Sequence, residues 1–225
     1  MQLTERVKQL RQNSLDAIEH ISSERAELVT RFYKSGPAGE LSAPMLRAHA
    51  FEYILKNKKI CINEGELIVG ERGPEPKATP TYPEITVHSI EDLEILDTRE
   101  KVSFKVSDRV KEVYREEVIP YWKGKSNRDK VMKAMTPAWK KAYKAGVFTE
   151  FQEQRAPGHT VLGYKLYNNG FLDLKKEIEE SIRGLDYFND PLAYDKHEEL
   201  KAMDVACDAI IMYAERNADE LERLA

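Results

Sequence analysis

The run Arg155-Ala156-Pro157-Gly158-His159-Thr160 presents an imidazole and a hydroxyl immediately after a bend. Pro157 fixes one backbone angle and Gly158 frees the next, so the chain turns sharply before the histidine. Phe148, Phe151, Tyr164, Tyr167 and Phe171 flank this turn, and the stretch from Gly146 to Asp173 reads as one wall of a small-molecule pocket. An imidazole in such a wall can donate a hydrogen bond, or a proton, to a departing oxygen. From spacing alone, a lone histidine beside a Pro-Gly turn is more often structural, and a Phe–Tyr cluster is more often core.

Other candidate chemistry is weaker. His20, His49, His88 and His197 are scattered without the i, i+4 spacing of a metal pair. Glu116-Glu117 and Glu179-Glu180 occupy adjacent helical positions and point to different sides, as solvated faces do. Cys61 and Cys207 are the two cysteines, with no CxxC, so neither a zinc nor an iron–sulfur site is expected. No Gly-rich phosphate loop is present. Arg155 and Thr160 are secondary candidates, because Arg155 serves equally well as an ion-pair partner of Glu150 or Glu153.

FTEFQEQRAPGHTV followed by GFLDLKKEI resembles the N-terminal part of glycyl-radical enzymes, the pyruvate formate-lyase superfamily, and within it the branch of trans-4-hydroxyproline dehydratase-like members. Ser23-Glu24-Arg25-Ala26, Glu66 through Glu71, Thr81-Tyr82-Pro83-Glu84-Ile85 and Tyr187 through Asp190 extend the likeness, in order, over nearly the whole chain. The resemblance implies a ten-stranded α/β barrel of two five-stranded halves, with this portion preceding most of it and mostly helical. It further implies a backbone glycyl radical installed by a radical S-adenosylmethionine activating enzyme, a cysteine that relays the radical to substrate, and a glutamate that handles protons. Those groups belong to a Gly-Cys-x-Glu motif and an Arg-Val-x-Gly-Tyr-like motif, and neither occurs in these 225 residues. Cys61 in KICINE and Cys207 in VACDAI read as packing positions, so no catalytic residue is assigned. Carried over by position, Phe151 and His159 match the branch's substrate-contacting phenylalanine and histidine. The ring face would exclude water from a radical, and the imidazole would meet the leaving hydroxyl.

The elements that position this stretch read mainly as α-helix. Leu3, Val7, Leu10, Ile18 and Ile21 predict a first helix, and Ser22 caps a second that runs to Gly36-Pro37. Pro44 opens a third, with Leu46, Ala50, Tyr53 and Ile54 as its buried stripe. Lys56, Lys58 and Lys59 read as its solvated end. Lys59–Ile62 and Glu66–Gly70, joined by Asn63-Glu64-Gly65, predict a short β-hairpin. The four prolines between Gly73 and Pro83 exclude a helix or central strand and predict an ordered loop across the surface. Capping signals at Ser89 with Asp92, Ser107, Ser126 with Asp129, and Thr136-Pro137 predict four more helices, the second ending at Pro120. Trp122 and Trp139 read as core anchors. Leu174, Ile178, Ile182 and Leu185 define another helix. A long last one carries the apolar stripe Leu200, Met203, Cys207, Ile210, Ala214, Leu221 and Leu224, which needs a partner surface.

Composition narrows the class. With 33% charged residues, 41% hydrophobic residues and a net charge of −4, the sequence fits a soluble, mildly acidic protein, here expected in the cytoplasm. It lacks the basic excess of a nucleic-acid binder, an apolar run able to span a membrane, and a signal-peptide core. Residues 1–225 are expected to form one truncated N-terminal pyruvate formate-lyase-like domain that binds no cofactor itself. Its expected partners are the rest of the barrel, the activating enzyme and a small-molecule substrate, with a homodimer as a further option. On this reading it is a fragment of a dehydratase, inactive alone. The alternative is a free-standing helical adaptor that covers its last helix with a partner chain. A small independent enzyme built on His159 lacks a visible nucleophile or metal site.

Overall fold

A computed structural model describes residues 3–36, 39–147 and 162–225, and within these helices dominate. The chain divides into two compact units, Met1–Thr30 with Glu75–His159, and Arg31–Pro74 with Thr160–Ala225.

In the first unit, α1 (Glu5–Asp16) is capped by Thr4 and buries none of its side chains. The expected helix through Ile21 stops short: Ile18 is exposed, and Ile21 is buried in a strand. That strand, β1 (His20–Ser22), pairs in parallel with β2 (Ala78–Pro80), with Ile21 opposite Thr79. The proline-rich loop thus contributes an edge strand, and Pro80 stands at its end, where the missing N–H costs no ladder bond. Lys105 extends the arrangement, because its carbonyl accepts from the Ile21 N–H at 2.9 Å. α2 (Glu24–Lys34) starts here, with Ala26 and Val29 buried.

α4 (Ile90–Thr98) has the expected capping box, with Ser89 and Asp92 each bonding the other's backbone N–H. α5 (Asp108–Val113), capped by Ser107, does not end at Pro120. It runs into a π-helical turn over Tyr114–Val118 and then α6 (Ile119–Trp122). Proline cannot donate to the carbonyl one turn back, and its ring crowds that carbonyl. Widening the preceding turn, so that the Ile119 N–H reaches Tyr114, removes the conflict without breaking the helix. Tyr114, Val118 and Trp122 consequently share one buried face. The Trp122 indole donates to Thr30 Oγ1 at 2.9 Å, and that hydroxyl donates to the Ala26 carbonyl at 2.6 Å. Trp122 is therefore the expected core anchor. Trp139, in α8 (Pro137–Lys144), is not: it is 58% exposed, and neither α8 nor α7 (Asn127–Ala134) buries a residue.

The second unit, which also holds the single-turn α9 (Lys165–Asn168), centres on α11 (Ala193–Leu224), which packs against α3 (Ala43–Asn57) and α10 (Phe171–Arg183). The expected large-residue stripe is only partly covered. Ala202, Cys207 and Ala209 are buried, whereas Met203, Leu221 and Leu224 are exposed. Small side chains on the buried face let the helix backbones approach closely. The end of α3 is not solvated as expected, since Lys58 is 9% exposed. Its ammonium donates to the Glu71 and Arg72 carbonyls and to the Tyr213 hydroxyl, at 3.1, 3.0 and 3.1 Å. Arg216 on α11 donates to the Leu55 and Lys58 carbonyls. Arg216 thus satisfies carbonyls at the end of α3, while Lys58 ties that end to the Glu71–Arg72 segment. Residues 59–70 form no hairpin. Glu66 folds back on the Asn63 backbone and side-chain amides at 3.0 and 2.7 Å, so a carboxylate replaces a ladder partner. Leu67 and Ile68 stay exposed beside it.

Candidate functional site

A dense polar arrangement lies in the first unit, where α2 meets the loop after β2. Two segments distant in sequence, Ser23–Ala26 and Thr81–Ile85, converge on one guanidinium. Arg25 forms a two-pronged pair with Glu84 and donates to the Thr81 carbonyl at 3.2 Å. Its planar face covers the Tyr82 ring, 3.9 Å from the centroid. The side chains of Arg25 and Glu84 are 20% and 27% exposed, so the pair is largely withdrawn from water. A planar, permanently charged fork suits both the carboxylate and the ring, as an ammonium would not.

Behind this pair stands Tyr114, fully buried in the π-helical turn. Burial pushes its phenol up to about 12, and the Glu84 charge adds to the rise, while the Thr81 hydroxyl and Arg25 oppose it. The phenol is therefore a neutral donor at any physiological pH. The His88 ring lies 6.5 Å from the Tyr114 ring, and burial lowers its pKa against the pull of Asp92. A paired guanidinium, a protonated phenol and a neutral imidazole do not make a nucleophile with a base. Their chemistry is positional: they hold the Thr81–Ile85 loop on α2. The sequence shows both segments without pairing them, and it places Tyr114 with Val110, Val113 and Val118 on a buried apolar face, as the structure does, without linking it to Arg25.

Surface clefts lie elsewhere among the described residues. One, of about 490 Å³, lies along β1 and includes His20, Glu75, Asp97 and Lys105. Its acids are engaged, with His20 3.7 Å from Glu75 and Lys105 3.6 Å from Asp97. The other, of about 510 Å³, lies in the second unit, with Met45, Ile178, Ile182 and Val205 below a rim that includes Lys176 and Lys201. Lys175 at its edge bridges Asp204 and Asp208 at 2.8 Å each. Among the described residues no group of three or more His, Cys, Asp or Glu is placed to hold a metal ion, and no helix is long and apolar enough to cross a membrane. Cys207 is buried on α11, and burial, with the nearby Asp204 charge, pushes its thiol up, as befits a packing residue. Glu116, Glu179 and Glu180 are exposed. His159 and Phe151, the two substrate-contacting candidates, lie outside the described residues, as do Arg155 and Thr160.

Comparison with known proteins extends this picture. A family model described as pyruvate formate lyase-like matches residues 2–225. The trans-4-hydroxy-L-proline dehydratase of Clostridioides difficile is 49% identical over 221 residues, 98% of this chain and 28% of that protein. A (2S)-3-sulfopropanediol dehydratase of Klebsiella oxytoca is 32% identical over 223 residues, 95% of this chain and 26% of its own length. The crystal structure of the C. difficile hydroxyproline dehydratase with trans-4-hydroxy-L-proline bound superposes with a TM-score of 0.93, at 48% identity, covering 99% of this chain and 28% of that one. The glycerol-bound B12-independent glycerol dehydratase of Clostridium butyricum gives a TM-score of 0.89 at 29% identity, covering 100% and 28%. The chain thus spans just over a quarter of the length of the relatives it matches.

Proposed function

This chain belongs to the pyruvate formate lyase-like family, and on that footing we propose that it is the N-terminal part of a glycyl-radical dehydratase, which removes water from a small hydroxylated substrate and is inactive without the remainder. The observation that carries this reading is the match to the hydroxyproline dehydratase along almost the entire chain. A glycyl radical, generated by a radical S-adenosylmethionine activating enzyme, would supply the hydrogen abstraction in the complete enzyme. No Gly-Cys-x-Glu or Arg-Val-x-Gly-Tyr-like motif lies in this sequence to carry that radical, so these residues are assigned no radical step.

Their task is to bind and orient. Phe151 would lay its ring face against the apolar side of the substrate and keep water from the reacting carbon. His159 would donate to the departing hydroxyl, lowering the barrier as a general acid does. The Arg25–Glu84 pair would brace the Thr81–Ile85 loop of the same unit. In the complete enzyme, His159→Ala should reduce kcat on a hydroxylated proline by about 10²–10⁴-fold, with a smaller change for Phe151→Leu. Undiminished turnover by His159→Ala would remove the histidine from the mechanism.

The second reading, a helical adaptor bound to another chain, draws on Leu221 and Leu224, 40% and 54% exposed on α11. The intact mass of the native gene product separates the two. A mass well above 25.9 kDa supports the enzyme, and a product of that mass co-purifying with a partner supports the adaptor.

A further inference from the structure

We propose that the cleft lined by α3, α10 and α11 in the second unit binds a small organic anion with an aliphatic body, a class typified by medium-chain monocarboxylates. The site is independent of the dehydratase reading. Its volume of about 510 Å³ falls in the range of about 300–1,000 Å³ that small-molecule pockets occupy. Met45 from the first turn of α3, Ile178 and Ile182 from α10, and Val205 from α11 give it an apolar floor. Ile178 is buried, so the floor is rooted in the packing of the unit. A flexible thioether among branched side chains can adapt to an alkyl chain laid across them.

Charge selects the head group. Lys201 lines the cleft and forms no ion pair among the described residues. The two carboxylates three positions away on α11 are already engaged: Glu198 accepts from the Ser42 hydroxyl at 2.7 Å, and Lys175 meets Asp204 at 2.8 Å. Glu179, the other acid of the cleft, pairs with Arg183 at 3.2 Å. Lys176 meets the exposed Asp173 at 3.9 Å, the outer limit of an ion pair. The acids are thus matched, and the Lys201 ammonium is left over, which suits one negative charge. Lysines rather than a guanidinium line the cleft, and a point charge fits a single carboxylate contact better than a two-pronged grip on phosphate. Lys175 reaches from α10 to Asp204 and Asp208 on α11, at 2.8 Å each, and so ties two walls of the site together before a ligand arrives.

The test is a titration of the protein with octanoate, followed by methyl-resolved NMR. Saturable shifts confined to the methyls of Met45, Ile178, Ile182 and Val205 are expected, with a Kd of about 1 mM for so small a ligand. Octanamide keeps the chain and lacks the charge, and should bind about 10-fold more weakly. Octanoate should lose about the same factor on Lys201→Met and regain it on Lys201→Arg. Lys201 is exposed, so neither substitution threatens the fold. Shifts scattered over the surface without saturation by about 20 mM would overturn the proposal. So would equal binding of octanamide, or undiminished affinity of octanoate for Lys201→Met.

Discussion

Removing the Arg25 fork should cost far more than losing a surface ion pair. Exposed pairs contribute about 0–1 kcal/mol, and breaking a fully buried one costs about 3–5. With side chains 20% and 27% exposed, Arg25 and Glu84 fall between these limits. Arg25→Ala strips partners from Glu84 and the Thr81 carbonyl and uncovers the Tyr82 ring, so about 2–3 kcal/mol is expected. In a chain of this length that lowers Tm by roughly 4–12 °C. Arg25→Lys keeps the charge but loses the fork and the stacking, and should cost about 1 kcal/mol or more. Urea denaturation followed by tryptophan fluorescence suits the measurement, because Trp122 is buried in the same unit. The decisive experiment is the double-mutant cycle with Glu84→Ala, where a coupling of about 1.5–3 kcal/mol is expected, little reduced by 1 M salt. A coupling below about 0.5 kcal/mol, or one abolished by salt, would mean that the pair behaves as a solvated surface contact and that the loop is held by other forces.

Two further outcomes follow from the same unit-by-unit picture. Arg216→Ala leaves the last carbonyls of α3 without their cation and should destabilise the second unit by about 1–3 kcal/mol; hydrogen exchange would report faster opening at residues 54–58, and unchanged protection there would refute it. His88 titrates below its ordinary 6.5 because burial disfavours the charged ring. Between 6.5 and that lower value the unfolded chain binds more protons than the folded one, so stability should fall as the pH drops through this window. His88→Gln should flatten the slope of stability against pH there; an identical slope in the variant would place the titration elsewhere.

The helices were legible wherever a local signal sufficed. Ser89 with Asp92, and Ser107, announce their caps within four residues, and both caps formed. What failed depended on partners far along the chain. The Lys59–Gly70 segment has the alternation and turn residues of a hairpin, but Glu66 lies close enough to satisfy the Asn63 amide itself, and that local bond displaces the ladder. Lys58 reads as a surface cation until Tyr213 and Arg216, more than 150 positions away, fold over the end of α3. Trp122 and Trp139 look alike in sequence; one is buried against Thr30 and the other is more than half exposed. Pro120 should stop a helix by every local rule, and it does not, because widening the turn over Tyr114–Val118 relieves the clash while keeping Tyr114 and Trp122 on one buried face. The candidate site divides along the same line. His159 and Phe151 were found through resemblance of a contiguous run, which a linear reading detects. The Arg25–Glu84–Tyr114 cluster joins three separate segments, so no single run could reveal it, although two of its segments had already been singled out. Those two segments meet at a salt bridge, and this gives their residue types a physical reason: Arg25 donates to the Thr81 carbonyl and to Glu84, while the Asn127 and Arg128 N–H groups donate to the Glu84 and Ile85 carbonyls, so the loop is held from both sides.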